Sequence, residues 1–306
     1  MRGLASVRNA QVCGEGSVAT ETTGAAQVPW RDWRPSPAVQ ASLLLHALAA
    51  GSLLAEGEGW PWALGSVVAN HTALTAFVML PRSHALGTNL TRLPDARTQA
   101  GHVALTFDDG PDPRVTPVVL DLLDRHGATA SFFCIGTHAR RHPALVREIV
   151  RRGHQVENHT YDHPNLFACF GPAAMRRQVL RAQDALADIT GRPPAWFRAP
   201  LGLRSPLLDA ALTGTGLRHA SWTRRGYDTV SANPAAVLAR LCPRLAAGDV
   251  VLLHDGSSAR GPGGAPVILA VLPRLLDVLA ARGLVATGLE PPAAQPGRAA
   301  SLPASR

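Results

Sequence analysis

An Asp-Asp pair closes an apolar run in this 306-residue chain, within Thr106-Phe107-Asp108-Asp109-Gly110-Pro111-Asp112-Pro113. Taken alone, Asp-Asp-Gly-Pro is a turn signal. At the end of a strand the two carboxylates can point in different directions. One can then hold a cation while its neighbour takes a proton from a water beside it. Further on the chain reads Glu157-Asn158-His159-Thr160-Tyr161-Asp162-His163. Two histidines four apart share one face of a helical turn, a spacing at which both imidazoles reach one ion. Solvated histidines are the ordinary alternative for so short a pattern. Joined to a carboxylate from the earlier segment, they make a two-His, one-carboxylate set with positions left open for water and substrate. Arg198, in Phe197-Arg198-Ala199-Pro200-Leu201-Gly202, can hold a carboxylate by a two-pronged hydrogen bond, although a surface arginine is the default in an Arg-rich chain. Two more segments follow, Trp222-Thr223-Arg224-Arg225-Gly226-Tyr227-Asp228 and Val250-Val251-Leu252-Leu253-His254-Asp255-Gly256. His254 closes an apolar strand and could act as a general acid.

Five distant segments can cooperate only if a scaffold brings their ends to one rim. From residue 102 the sequence alternates short apolar runs with helical ones. Strands are expected over 102–107, 130–135, 155–158, 196–198, 218–222, 249–254 and 284–287. Helices are expected over 116–126, 143–152, 172–190, 206–213, 234–245 and 267–282. Several open near a Pro and close just before a Gly, the punctuation helices favour. Repeated βα units imply a parallel sheet with helices outside it. Seven such strands suit an α/β fold built as a (β/α) barrel, complete or incomplete, with reactive residues at the C-terminal strand ends. The remaining histidines His126, His138, His142 and His154 sit at helix or loop ends, where solvated or capping roles are expected.

The five ordered segments resemble the polysaccharide deacetylases, the NodB-like carbohydrate esterases, over residues 100–290. The resemblance implies a distorted (β/α) barrel and metal-dependent hydrolysis of an N-acyl group on an amino sugar. It implies Asp108 as catalytic base and Asp109, His159 and His163 as ligands of one divalent metal, with Zn²⁺ expected. It matches Arg198 to the arginine that tethers the base, Asp228 to the acid that positions the acidic histidine, and His254 to that histidine. Leu252 matches a residue lining the acyl-methyl pocket, the Leu201 N–H is placed to hold the oxyanion, and Trp222 is a further substrate contact. Two positions depart from the family pattern: Leu201 stands where a tyrosine is usual, and Thr229 where a tryptophan is usual. O-acyl ester hydrolysis, deformylation of a lipid-linked sugar, and a catalytically dead glycan-binding membrane protein are the rival readings.

Ahead of the barrel lie two stretches without formal charge, residues 35–55 and 59–81, joined by Glu56-Gly57-Glu58. Their length and composition fit a transmembrane helical hairpin with Trp60 and Trp62 at an interface. A hairpin of buried core helices is the alternative, and His46, Asn70 and His71 favour it, because polar groups are costly in lipid. Residues 1–34 are polar and lack the apolar core of a secretory signal, and residues 291–306 are Pro/Ala-rich; both are expected to be poorly ordered. The charge pattern (Arg2, Arg8, Arg31, Arg34, Arg82, Arg92 and Arg97 outside the hairpin, only Glu56 and Glu58 in its turn) places the barrel on the cytoplasmic side of the inner membrane. An acylated amino-sugar glycan or a lipid-linked sugar is the expected partner.

Composition narrows the field further. The net charge is +8, yet all 30 basic residues are Arg and none is Lys, a pattern of codon bias. No basic block is interleaved with aromatics, so nucleic acid is not an expected partner. Cys13, Cys134, Cys169 and Cys242 are too scattered for a disulfide framework or a Cys-rich zinc site.

Overall fold

The computed structural model describes residues 32–55 and 59–291. Residues 56–58, the first 31 residues with Cys13, and residues 292–306 lie outside them, and with them most of both expected disordered ends. Two long helices come first, α1 (Pro37–Ala55) and α2 (Trp60–Met79), packed on each other. A short α3 (Asp95–Gln99) leads into β1 (His102–Asp108). Then follow α4 (Thr116–Arg125), β2 (Ser131–Cys134), α5 (Gly136–Arg141), α6 (Pro143–Arg151), β3 (Gln155–Asn158), α7 (Pro172–Thr190), β4 (Trp196–Phe197), α8 (Leu208–Leu212), β5 (Arg218–His219), β6 (Arg224–Arg225), α9 (Pro234–Leu241), β7 (Val250–His254), α10 (Ile268–Ala281) and β8 (Val285–Thr287). Helix ends follow their punctuation. Asn233 caps α9 by accepting from the N–H groups of Ala235 and Ala236, and α7 stops at Gly191, whose φ of 75° suits glycine.

All strand pairings are parallel, in the order β5-β4-β3-β2-β1-β7-β6, with β8 set against the start of β1. The sheet curls into an incomplete barrel. Its gap is bridged by an irregular segment: Leu90 pairs with Ala220, and Arg92 with Asp249. The seven expected strands are all present, several of them shorter. Their ends leave the ladder to supply loop residues. β6 was not foreseen, because two arginines carry no strand signal; α3 and α5 are likewise too short to show a period.

Strand parity positions the site. Val103, Leu105 and Phe107 of β1 face the outer helices with Phe132, Val251 and Leu253, in a core that includes Phe107 stacked on Phe132 at 5.0 Å. Ala104 faces inward with Phe133, Trp196, Val250 and Leu252. Side chains alternate with period two, so Asp108 continues the inward row of β1 and His254 that of β7. The register Asp108↔His254 then sets the two side by side at the top of adjacent strands. Cys134 is a small core residue, as its apolar surroundings in the sequence suggested.

His154 departs from the solvated role expected of it. It is fully buried, its Nδ1 accepts from the Ala130 N–H at 3.3 Å, its ring lies against Phe132, and its Nε2 has no partner. Burial pushes its pKa down to about 4. In the unfolded chain a histidine takes up a proton below about 6.5. The stabilisation from a neutral His154 is therefore present above pH 6.5 and is lost as the pH falls toward 4. His154→Asn, which keeps an acceptor for Ala130 and cannot titrate, should flatten the fall of the urea midpoint between pH 7 and 4.5. The wild-type-minus-variant difference isolates His154 from Glu157 and Asp255, whose carboxyls burial pushes up to about 7 and whose effect on stability has the opposite sign. An unchanged pH slope in the variant would remove this role.

Candidate active site

The C-terminal ends of β1, β3, β4 and β7 meet at one cavity of about 290 Å³. Asp108 ends β1 and Asp109 follows it with φ 71°, in the left-handed region. That reversal sends the two carboxylates apart. His163 and Leu201, which also line the cavity, adopt positive φ too, as do Thr160 and Tyr227 next to residues of the site, so three of the six non-glycine residues of this kind among the described ones line the cavity. Such strain persists only where surrounding structure enforces it.

Asp109 faces both histidines. Its Oδ1 lies 3.3 Å from His159 Nε2 and 3.4 Å from His163 Nε2, and one donor atom from each of the three residues falls within 4.8 Å of the others. His159 Nδ1 donates to the Arg198 carbonyl at 2.9 Å, which orients the ring with Nε2 toward Asp109, where it donates to the carboxylate while protonated and offers a lone pair to a cation once neutral. His163 is held through its backbone N–H on Thr160 Oγ1. Burial alone would raise the Asp109 carboxyl, but the hydrogen bond and charge of His159, with the charges of His254 and His163, hold it well below the usual carboxylate range. Burial opposes charge on His159 too, yet Asp108 and Asp109 raise its pKa; at His163 burial and the neighbouring His159 push the pKa down. Two imidazole nitrogens and a carboxylate, preset around one point, fit a divalent cation of the zinc type.

Asp108 is held differently. Arg198 is among the largest fully buried side chains, where an ordinary surface arginine was the alternative expectation. Its Nη1 donates to Asp108 Oδ1 at 2.6 Å and to Thr106 Oγ1 at 2.9 Å, while Nε and Nη2 donate to the carbonyls of Ala220 and Ser221. The Arg198 guanidinium carbon lies over the Phe133 ring, 4.0 Å from its centre. One Asp108 oxygen is thus committed to Arg198, and the other lies 3.9 Å from His159 Nε2.

His254 faces the same cavity from β7. Its Nδ1 donates to Asp228 Oδ1 at 2.9 Å and its backbone N–H to Asp228 Oδ2 at 2.8 Å, so both oxygens of one fully buried carboxylate orient the ring. Burial works against the imidazolium, but Asp228 outweighs it and raises the His254 pKa. Leu201, Trp222 and Leu252 line the cavity. Trp222 packs so tightly on Gly202, at φ 72°, that any side chain there would collide with the indole.

Two residues gave no warning in the sequence. Asp255, opposite in parity to His254, is fully buried and accepts from Thr116 Oγ1, which itself accepts from the Asp112 N–H; the trio braces the Asp-Asp-Gly-Pro loop. The His138 ring meets the Asp109 carbonyl at 3.0 Å from the other side. Only three-dimensional proximity identifies either.

A sequence model of the family described as polysaccharide deacetylase matches residues 95–220, which include Asp108, Asp109, His159, His163 and Arg198. The chain is 38% identical over 213 residues to the chitooligosaccharide deacetylase of Sinorhizobium fredii, an alignment spanning 65% of this chain and 95% of that protein. The chain belongs to the polysaccharide deacetylase family. It is 33% identical over 180 residues to the peptidoglycan-N-acetylglucosamine deacetylase of Bacillus cereus, covering 56% of this chain and 62% of that one. Among solved structures, the family 4 carbohydrate esterase from Streptomyces lividans, in complex with acetate, superposes with a TM-score of 0.56 at 34% identity, over 62% of this chain and 94% of that one. As a polysaccharide deacetylase the chain is a hydrolase with the family's incomplete (β/α) barrel. The hairpin α1–α2 lies outside the family match.

Proposed function

We propose that the chain removes an N-acyl group, acetyl in the first instance, from an amino sugar of a glycan or of a lipid-linked sugar. The observation that carries this reading is the Asp108↔His254 register. It sets a carboxylate and an imidazole side by side at one cavity, each with its own buried partner, Arg198 for one and Asp228 for the other, which supports a base and an acid there. Asp109, His159 and His163 would hold one divalent cation, Zn²⁺ by donor set. Bound there, it would polarise the acyl carbonyl and make water a stronger acid.

Asp108 takes the proton of the attacking water through the oxygen not engaged by Arg198, while the water oxygen bonds to the acyl carbon. The Leu201 N–H, presented on a tight turn, donates to the developing oxyanion. His254, with Nδ1 on Asp228, presents Nε2 and gives its proton to the departing nitrogen as the C–N bond breaks. Acetate and a free amine are the products. Leu252 and Trp222 form apolar walls at the acyl end.

Acyl release from a panel tests the reading: N-acetylglucosamine oligomers, peptidoglycan, O-acetylated xylan and polyprenyl-linked amino sugars. Acetate from an N-acetyl sugar supports it, release from xylan alone makes the protein an esterase, and formate from a lipid-linked sugar makes it a deformylase. No release from any overturns it. Asp228→Asn supplies a sharper test. His254 must carry a proton to act as the acid, so activity falls as the pH rises past its pKa. Removing the Asp228 charge should move that alkaline limb of kcat/KM to lower pH, and an unmoved limb would separate Asp228 from His254.

Helices α1 and α2 are long and apolar enough to cross a membrane, and most of their surface faces outward; Leu54 is 91% and Trp62 85% exposed. The polar residues that argued against a membrane meet in the seam between the helices. His46 Nε2 lies 3.2 Å from His71 Nε2, and Asn70 donates to Ser42 Oγ at 2.9 Å. Polar groups paired between helices are the tolerable kind in lipid. These features support a hairpin anchor. Arg92 and Arg97 are ion-paired with Asp249 and Glu290, which leaves Arg82 and the four N-terminal arginines to set orientation. On that charge pattern the barrel faces the cytoplasm and works on a lipid-carried sugar. A reporter fused after Arg306 should be active only in the cytoplasm, with the protein retained through an alkaline wash. A periplasmic signal would reverse the orientation, and release by the wash would make α1 and α2 core helices.

A further inference from the structure

The cavity that holds Asp108, Asp109 and His254 also holds an arginine that no carboxylate neutralises. Arg224 and Arg225 are consecutive on β6, and the strand sends them to opposite faces. Arg224 is engaged inside the protein, with Nε on Asp249 at 2.8 Å and its Nη atoms on the carbonyls of Pro243 and Arg244. Arg225 stands in register with Leu252 and lines the cavity. Its guanidinium carbon lies 4.8 Å from the centre of the Tyr227 ring and 5.5 Å from that of Trp222. Its Nε is buried without a partner, and none of its guanidinium nitrogens has a hydrogen bond or ion pair among the described residues.

Arginine is abundant in this chain, and a surplus surface arginine would extend into water. Arg225 is instead fixed between two rings, one of them on Tyr227 with φ 59°, and its free Nη atoms are left to the cavity. The other basic groups at or beside the cavity face carboxylates: Arg198 meets Asp108, His254 meets Asp228, and His159 and His163 meet Asp109. An adjoining cavity of about 690 Å³ meets the first at Asp109, Thr229 and Ser257. It adds Arg141 and Arg260, neither ion-paired among the described residues, against one further carboxylate, Asp112.

The geometry points to a recognition site for an anionic substituent: Arg225 binds a phosphate or carboxylate carried by the acylated amino sugar, beside the acyl group that reacts. The inference rests on reading the cavity as the acyl-sugar site. The shared chemistry is an oxyanion that accepts two N–H donors from one planar guanidinium. A neutral chitooligosaccharide leaves this charge unmatched in the cleft and is the poorer substrate.

The test compares wild type, Arg225→Gln and Arg225→Lys, each as full-length, metal-loaded protein. Acetyl release is measured from three substrates: neutral N-acetylglucosamine oligomers, N-acetylglucosamine 1-phosphate esters, and glycan strands bearing the N-acetylmuramyl carboxylate. Wild type should prefer one anionic class over the neutral oligomer. In Arg225→Gln that preference ratio should fall about 10- to 100-fold, mainly through KM, the scale of a lost charged hydrogen-bond pair. Arg225→Lys should restore only part of it. Preference for the phosphoester names a phosphate-linked carrier, and preference for the carboxylate names a wall glycan; either supports the site. A wild type that favours the neutral oligomer, or a ratio unmoved in Arg225→Gln, overturns it. Calorimetric binding of glucosamine 1-phosphate gives a second readout that needs no turnover. Its affinity should fall at least about tenfold in Arg225→Gln. Phosphate held by the metal alone would bind both proteins equally, and that result also overturns the inference. If no substrate releases acetate yet this affinity difference is found, the deacylase reading fails and the anion site stands.

Discussion

His159→Ala should leave a folded protein that has lost most of its bound divalent metal and nearly all acyl release. The expectation follows from how few donors there are. Among the described residues, one cluster of histidine and carboxylate donors could hold an ion, and it has three members. His159 is the most constrained of them, 2% exposed, with Nδ1 fixed on the Arg198 carbonyl and Nε2 aimed at Asp109. Alanine removes the nitrogen and leaves Asp109 and His163 to hold the ion with a gap between them. A fixed ring orientation of this kind is what makes a histidine ligand strong. Metal analysis of purified protein should find one ion per wild-type chain and little in the variant, with far-ultraviolet circular dichroism unchanged. Full occupancy in His159→Ala would move the metal elsewhere and dissolve the three-residue site.

Much of this arrangement was legible in the sequence, and the reason is physical. Residues at the C-terminal ends of parallel strands converge whatever the loops between them do, so Asp108, His159, Arg198 and His254 could be placed on one rim from the strand pattern alone. The hidden part was the side each residue faces. Strands of a parallel barrel are buried on both faces, and the apolar run of β1 or β7 shows no alternation from which inward and outward rows could be told apart. That is why Asp255 drew no attention beside His254, although it braces the Asp-Asp-Gly-Pro loop from outside the barrel. Arg224 and Arg225 show the same limit. Nothing in the pair itself tells them apart; only the register with β7 separates a structural arginine from one in the cavity. The hairpin was legible as two apolar spans, but not its seam, because nothing in the sequence brings His46 to His71 across 25 residues.

Asp108→Asn should keep the metal and lose rate by a factor of about 10²–10⁴, the range over which acid–base groups contribute. The two halves of this outcome come from two different sets of contacts. The metal is kept because Asp108 is not in the three-donor cluster: one oxygen is taken by Arg198 at 2.6 Å, and the other stands off His159 at 3.9 Å. The fold is kept because asparagine has the same shape and its Oδ1 still accepts from the buried Arg198 guanidinium, which a smaller residue would strand without a partner. The rate is lost because an amide nitrogen in place of the free carboxylate oxygen cannot take a proton from water. His254→Ala should show a similar loss for the complementary reason, since the departing amine would have to leave without a proton. Metal content and kcat measured on the same preparations separate these variants from His159→Ala, in which both fall together. Near-normal turnover in Asp108→Asn would leave Asp109 as the one other carboxylate lining this cavity, and Asp109 cannot both face two histidines around an ion and accept the proton. That result would therefore overturn the division of labour between the adjacent aspartates.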